Sequence, residues 1–397
     1  GSGNSALTMD LNYATGTADR LTIAGAATGS TNLTLNVIGG QQTGLINNLV
    51  LVDAGAGTAA NAFTLVGGRQ VNGLIEFGVN FNAGANDFVL SSAPSIAVYE
   101  TSNFGDIARN AWAQSANAFS DHMTMTRDTG TRDGARLWIT GYGNNLDRER
   151  TTSTTFNGLG STYNLGYSQD AYGFLAGIDF GTEAVRYGVT GGYQNNQADF
   201  DGSVGGVDFD VLSVGGYIAA DFDVFWANAL VKYDTINGTL DNAAAGLAAD
   251  FDGSVFGGQI EAGALLGKRD GLFLEPRVSL AYSGTDLDDI TTAQGSLEFD
   301  AGESLLGKAG ARVGTGIGSK GVIYVGGNYV HEFEGDDTVL FTTGQSQALI
   351  GNLPVDDYAE VTAGIAFGNS DDAFGASLQG TYATGSDVEG YGASLNL

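Results

Sequence analysis

Enzymatic chemistry needs residues that exchange protons, attack bonds or hold metals, and this chain offers few of them. Its 2 histidines are His122 and His331 and it has no cysteine, which excludes disulfides, thiolate chemistry and zinc–cysteine sites. Any metal centre would have to rest on carboxylates. Neither histidine has partners at ligand spacing, so both read as hydrogen-bonding groups in a polar wall or at a rim. No Gly-x-Ser-x-Gly elbow occurs, and no Ser/His/acid set is suggested by position. Gly316-x-Gly318-x-x-Gly321 satisfies the dinucleotide pattern, yet a second strand starts at Val322 where a helix would be required, so a tight turn is the better reading. GANDFVL, from Gly84, resembles a calcium-binding repeat loop but occurs once and lacks the glycine pair; it reads as the turn of a rung, with no calcium assigned. No enzyme and no cofactor are expected.

Composition narrows the class further. Of 397 residues, 45 are acidic and 16 basic, and a net charge of −29 argues against a nucleic-acid binder. With 43% hydrophobic and 15% charged residues the chain is too apolar for disorder, and 63 glycines beside 3 prolines favour sheet over linker or helix. No stretch approaches the roughly 20 apolar residues of a membrane helix, and no basic-then-apolar leader opens the chain, so an inner-membrane protein is not expected. Gly1, Ser2 and Gly3 read as an engineered remnant or as the cut edge of a longer protein.

Periodicity divides the chain into residues 1–100, 101–133 and 134–397. The first region holds short alternating segments, LTMDLNY, DRLTIAG, TNLTLNVI, NNLVLVD, NAFTLV and DFVLSS, separated by Gly/Ala/Asn/Thr turns. Stacked rungs of a β-solenoid fit them best, with an ordinary sandwich as the competitor. In the second region the period becomes helical: Ile107, Ala111, Ala118 and Phe119 share a stripe, Asn103 can cap, and Asp106 suits a helix N-terminus. The opposite face is small and polar rather than Lys/Glu-rich, which predicts a helix enclosed by a polar wall.

The third region supplies such a wall. Leu272, Leu274, Pro276, Val278, Leu280 and Tyr282 alternate with Phe273, Glu275, Arg277, Ser279 and Ala281, and the pattern recurs strand after strand with no charge on the apolar parity. About twelve strands are predicted, at 135–143, 163–180, 185–199, 208–221, 224–236, 251–266, 272–283, 304–318, 321–334, 356–369, 372–383 and 388–397. Short turns (GTEA, DFD, KRDG, SK, NSDD) alternate with long loops, and Tyr and Phe flank the apolar faces. The fold class is therefore all-β: an antiparallel transmembrane β-barrel with a helix through its lumen, preceded by a short β-solenoid. The lumen parity collects Arg136, Arg186, Lys232, Arg277, Lys308 and Arg312 against Asp179, Glu261, Glu275, Glu332 and Glu360, a near balance. The surplus acid, including Asp199, Asp201, Asp208, Asp210, Asp286, Asp288, Asp289, Asp336 and Asp337, falls in loops expected to be solvated, with divalent bridging to lipopolysaccharide as the alternative.

At this point the chain resembles the autotransporters of type V secretion along nearly its whole length. DRLTIAG, TNLTLNVIGG, NAFTL and IEFGVNFNAGANDFVLSSAP are similar to the closing autochaperone rungs of a pertactin-like passenger, and ETSNFGDIARNAWAQSANAFSDHM to the pore helix. LWITGYG, FLEPRVSLAY and LLGKAGARVG resemble the first, seventh and eighth barrel strands. The resemblance implies a passenger end over 1–100 with an autochaperone core of Phe63, Leu65, Phe77, Phe81 and Phe88, and a linker and pore helix over 101–133. That helix would present Ile107, Arg109, Asn110, Trp112, Asn117, Phe119 and His122, and the translocator barrel would occupy 134–397. It also implies an assembly signal at Tyr391, Leu395 and Leu397, although family members usually finish on an aromatic residue and this chain on leucine. Some members cut their passenger by cyclisation of a helix asparagine assisted by lumen carboxylates. Asn110 and Asn117 would be the candidates and Glu261, Glu275, Glu332 and Glu360 the helpers, but the consecutive-Asn motif is missing and a helix plug is expected instead.

The function so implied is export and anchoring of the chain's own passenger in the bacterial outer membrane, with the last rungs promoting folding outside. A surface adhesin anchored by the barrel and a small-solute pore are the alternatives. Expected partners are outer-membrane lipid and lipopolysaccharide, the barrel-assembly machinery, periplasmic chaperones and the passenger itself, with no nucleic acid; a monomer is expected.

Overall fold

A computed structural model describes residues 4–39, 44–130, 133–243, 245–318, 320–368 and 374–397. Twelve long strands among them close into a single antiparallel barrel. In chain order they are β1 (Arg136–Arg148), β2 (Tyr167–Gly181), β3 (Val185–Phe200), β4 (Gly205–Phe222), β5 (Phe225–Asn242), β6 (Leu247–Ala264), β7 (Phe273–Leu287), β8 (Gly302–Ile317), β9 (Gly321–Glu334), β10 (Tyr358–Phe367), β11 (Ala376–Gly385) and β12 (Val388–Asn396). Each pairs with its chain neighbours, and β12 pairs with β1 from Thr140↔Asn396 to Arg148↔Val388. Closure leaves no unpaired edge, the condition for a sheet in lipid.

The two parities separate as the alternation predicts. On β7, Leu274, Val278, Leu280 and Tyr282 are exposed, whereas Phe273, Glu275 and Ser283 are buried inside. The strands run further than their apolar pattern: β5 continues past residue 236 to Asn242, and β4 starts at Gly205 rather than 208. Beyond the lipid band the outward parity turns polar while the pairing persists, so hydropathy marks the membrane and not the end of the strand. Ser319 of the Gly316 motif and the NSDD turn lie outside the described residues, as do residues 1–3. At Gly318 the chain turns with φ +60° and β9 follows at Gly321, so no helix opens there.

Residues before the barrel form two sheets of short strands. Asn4–Asn12 pairs in parallel with Ser30–Ile38, and the latter with Phe63–Leu65, so that Leu7, Leu33 and Leu65 stack in one column. Parallel in-register stacking is the solenoid arrangement. The stack ends in an antiparallel hairpin, Ile75–Asn82 with Asp87–Pro94, laid against Leu49–Ala54. GANDFVL supplies that hairpin's turn, with Asn86 at φ +64°, rather than the turn of a rung.

Two helices lead into the barrel, α1 (Ile96–Glu100) and α2 (Phe104–Thr129), joined by a single 3-10 turn, Thr101–Asn103. Asn103 does not cap α2: it is itself helical (φ −85°, ψ −8°), and its side chain instead donates to the Leu165 carbonyl at 2.9 Å and accepts from Arg150 at 3.0 Å. The helical run is already under way at Ile96, which leaves no free N-terminus at Asn103 to cap.

The barrel lumen and the helix that occupies it

A 26-residue α-helix is about 39 Å long, enough to run the full height of a membrane barrel. Most of α2 is buried against the wall, while Asp106, Asn110, Asn117, Ser120 and Asp121 along one side are half-buried. Side chains from nearly every barrel strand reach it, and they fall into three levels.

At the outer mouth, both terminal nitrogens of Arg109 grip the Asp337 carboxylate at 2.6 Å each. Arg148 and Tyr167 donate to Asp106 at 3.2 and 2.8 Å. Asp337, expected to be a solvated loop acid, is therefore buried, because a helix guanidinium compensates its charge. The neighbouring loop acids Asp199, Asp201, Asp208, Asp210, Asp286, Asp288, Asp289 and Asp336 are exposed. Above the mouth, outside the membrane-spanning strands, Glu100 is buried. Its Oε2 accepts from Ser203 at 2.9 Å and Asn242 at 3.4 Å, while Oε1 has no partner. Burial pushes this carboxyl up to about 7.

At mid-height, Asn110 donates to Gln169 at 2.8 Å, Gln194 to Gln114 at 3.0 Å and Lys308 to Asn117 at 3.3 Å; Lys308 also pairs with Glu360 at 2.7 Å. Trp112 lies against Gly257, where a Cβ would come within 2.6 Å of the indole, and Lys232 sits over the ring at 5.0 Å while paired with Asp234. Asp121 accepts from Gln379 and Ser394 at 2.6 Å each. Asn328 and Arg277 are joined at 3.1 Å and Asn228 reaches Glu261 at 3.2 Å.

Lower down, Phe119 packs on Tyr217 at 4.8 Å, and His122 stacks on Trp138 at 4.1 Å with Asp179 at 3.7 Å. Arg186 is buried on the same wall and Arg136 is half-buried at its inner end. The last turn is locked by Arg312, which donates to Asp128 at 2.7 and 2.8 Å and to Glu275 at 3.0 Å twice. Arg127 covers Trp226 at 3.6 Å.

The helix does not fill the bore. A cavity of about 230 Å³ runs along one side, between Asn110, Asn117 and Asp121 of α2 and Glu261, Arg277, Lys308, Glu332 and Glu360 of the wall. That volume holds several waters. Of the four carboxylates expected near the helix asparagines, Glu261, Glu332 and Glu360 line this cavity with them, whereas Glu275 lies at the inner end with Arg312. Ile107 and Phe119 face packed wall instead, and Trp112, although buried, borders the cavity. In the segment before the barrel, Phe63 and Phe81 each meet Phe88 at 5.0 Å, Phe77 stacks on Tyr13 at 4.9 Å, and Leu65 is buried beside them. Tyr391, Leu395 and Leu397 all point outward from the barrel's last residues.

Sequence reading missed Asp121, Asp128, Gln169 and Asp337 as helix-holding groups. Asp121 and Asp128, one heptad apart on a helix otherwise poor in charge, were a usable signal; Gln169 and Asp337 left none, being set by register and by a loop.

A closed barrel with an apolar outer band, a charged lumen and a helix running through it is the architecture of an outer-membrane β-barrel protein. The autotransporter beta-domain family model matches residues 137–383, and the chain belongs to that family. The pertactin family model matches residues 2–90. The pertactin autotransporter of Bordetella bronchiseptica is 26% identical over 263 residues, 63% of this chain but 27% of that protein, so the chain spans about a quarter of this relative's length. Two solved structures share the fold. The translocator domain of the autotransporter NalP from Neisseria meningitidis has a TM-score of 0.55 at 14% identity, covering 73% of this chain and 96% of that one. The transport unit of the autotransporter AIDA-I from Escherichia coli has a TM-score of 0.53 at 16% identity, covering 70% and 97%. The barrel resides in the bacterial outer membrane.

Proposed function

We propose that this chain exports and anchors its own N-terminal passenger and that the passenger's last rungs, residues 61–92, template folding outside. The observation that carries the reading is the continuous path of one polypeptide from the solenoid end through α1 and α2 to β1, with the barrel closed around it. Folding of each rung buries apolar area at roughly 25 cal/mol per Å² and opposes backsliding without ATP. Insertion would use the barrel-assembly machinery, periplasmic chaperones and contact with lipid and lipopolysaccharide, with Tyr391, Leu395 and Leu397 as the assembly signal. The plug formed by α2 weighs against a small-solute pore, and adhesion would be a property of the passenger rather than of the barrel. Passenger cleavage at Asn110 or Asn117 is not favoured: Asn117 faces Lys308, and Asn110 faces the uncharged Gln169.

The test is at Phe88, buried between Phe63 and Phe81. Phe88→Ala removes a buried ring worth about 3–5 kcal/mol, and Phe81→Ala a less buried one. In a full-length protein on cells, the passengers of both variants should become protease-resistant more slowly than the parent's, while the barrel stays heat-modifiable. Equal rates would refute the template role.

A further inference from the structure

Three loops on the outer face of the barrel build a second, smaller structure. Thr151–Phe156 and Leu159–Asn164 form a hairpin within the first loop. Loops 288–301 and 335–357, distant in sequence, pool their strands into one four-stranded sheet through Leu297↔Phe341. These loops meet the passenger end both at its main chain and at polar side chains: Arg69 donates to Ser161 and to the Gly160 carbonyl, Ser161 donates to Glu76 at 3.0 Å, and Asn80 donates to the Gly158 carbonyl at 2.7 Å. Asn157 donates to the carbonyls of Ile46 and Ser92 at 3.3 and 3.0 Å. The Gln294 amide accepts from the Leu74 N–H at 2.8 Å and donates to the Asn72 carbonyl at 2.9 Å, while Ser346 Oγ accepts from the Leu45 N–H at 3.2 Å. Leu297 and Phe341 are fully buried in a core continuous with that of the passenger. A solenoid end exposes main-chain groups and apolar area that a further rung would otherwise cover, and the loops supply that cover.

The root of this platform is tied to the helix. Asp337 lies at the start of the third loop, and its buried carboxylate is held bidentately by Arg109 of α2. Gly105 and Gly302 press on the pair so closely that a Cβ at either would overlap the Asp337 carboxylate. With the helix elsewhere, folding the loop inward would bury an uncompensated charge.

We propose that the outer loops are a docking platform for the end of a parallel β-solenoid, and that the Arg109–Asp337 pair makes this platform conditional on a helix seated in the barrel. The partner it fits is recognised at main-chain groups together with the side chains of Arg69, Glu76 and Asn80; it is the chain's own segment 44–95. The proposal rests on the export reading above and adds an order to it: the helix seats, the loops close, the last rungs dock.

Hydrogen exchange on the full chain in outer-membrane vesicles tests this. Arg109→Met should speed exchange more than about tenfold both in the outer sheet (338–351) and in the passenger hairpin (75–94). Arg109→Lys, which keeps the charge, should restore most of the protection. The double variant Asn157→Ala/Gln294→Ala should loosen only the passenger hairpin. Parental protection of the outer sheet in Arg109→Met overturns the proposal, as does a Lys variant no better than Met or an outer sheet loosened equally by the double variant. Loss of heat-modifiability in Arg109→Met overturns it too, since the pair would then hold the barrel rather than the platform. The export reading is tested by folding rates on cells and this proposal by protection at equilibrium, so either can fail alone.

Discussion

Arginine placed at Val278 should hinder membrane insertion far more than arginine one residue later. The outward apolar run on β7 extends from Leu274 to Tyr282, and Val278, 57% exposed, is its midpoint. Eight residue steps at about 3.4 Å, tilted by about 40°, span about 21 Å along the membrane normal, close to the roughly 25 Å apolar band of such barrels. Val278 therefore sits near the midplane, where Arg costs about 2–4 kcal/mol, while Leu274→Arg at the band's edge should cost about 0–1 kcal/mol. Ser279 faces the lumen cavity, opposite Glu261 on β6 and Lys308 on β8, where an added guanidinium meets water and a carboxylate. Ser279→Arg should be milder than Val278→Arg for that reason. Equilibrium unfolding in urea from lipid vesicles, with heat-modifiability as the fold control, reads the difference. Equal losses at 278 and 279 would refute the facing assignment, and a loss at 274 as large as at 278 would refute the placement of the midplane.

Two further outcomes follow from the helix and its approach. Deleting residues 1–100 should leave an inserted barrel of low conductance, whereas deleting 103–123 as well should open a larger one, since a helix is about 10–12 Å across; equal conductance would mean the helix does not occupy the pore. Glu100 has its carboxyl raised from 4.5 to about 7, so at acid pH both folded and unfolded states hold the proton, and stability falls as pH rises from about 4.5 to 7, by about 3 kcal/mol. Glu100→Gln should consequently raise the unfolding midpoint at pH 8 and leave it nearly unchanged at pH 4.5; a gain of the same size at both would remove the carboxyl as the cause.

Much of the barrel was legible because lipid and lumen impose opposite demands on alternate residues. Leu274, Val278 and Tyr282 against Glu275 and Arg277 declare their sides with no knowledge of their neighbours. The helix was legible for a related reason: a stripe of Ile107, Ala111, Ala118 and Phe119 opposite small polar residues makes sense only inside a polar enclosure. What stayed hidden depends on who faces whom. The outer sheet joins Leu297 to Phe341, and Arg109 meets Asp337 across a sequence separation of 228; neither leaves a local period. Asn103 was misread as a cap because the preceding Ile96–Glu100 turn is too short to declare itself, and Asp337 as solvated because acid in a loop ordinarily is.

The seam between β1 and β12 joins Thr140 to Asn396, 256 residues apart, around a helix that belongs to neither strand. In topological terms the molecule is a thread passing through a ring made of its own later residues. Such a thread has two ways in: it is surrounded when the ring shuts, or its free end is drawn through afterwards. It also has a distinctive way out. Cutting one peptide bond within α2 would divide the chain into two pieces that slide apart without unpairing a single barrel strand, whereas a cut anywhere in the wall leaves the thread encircled. Permanence of the surface domain is thus decided by a short stretch of backbone, guarded by the same wall that holds it in place.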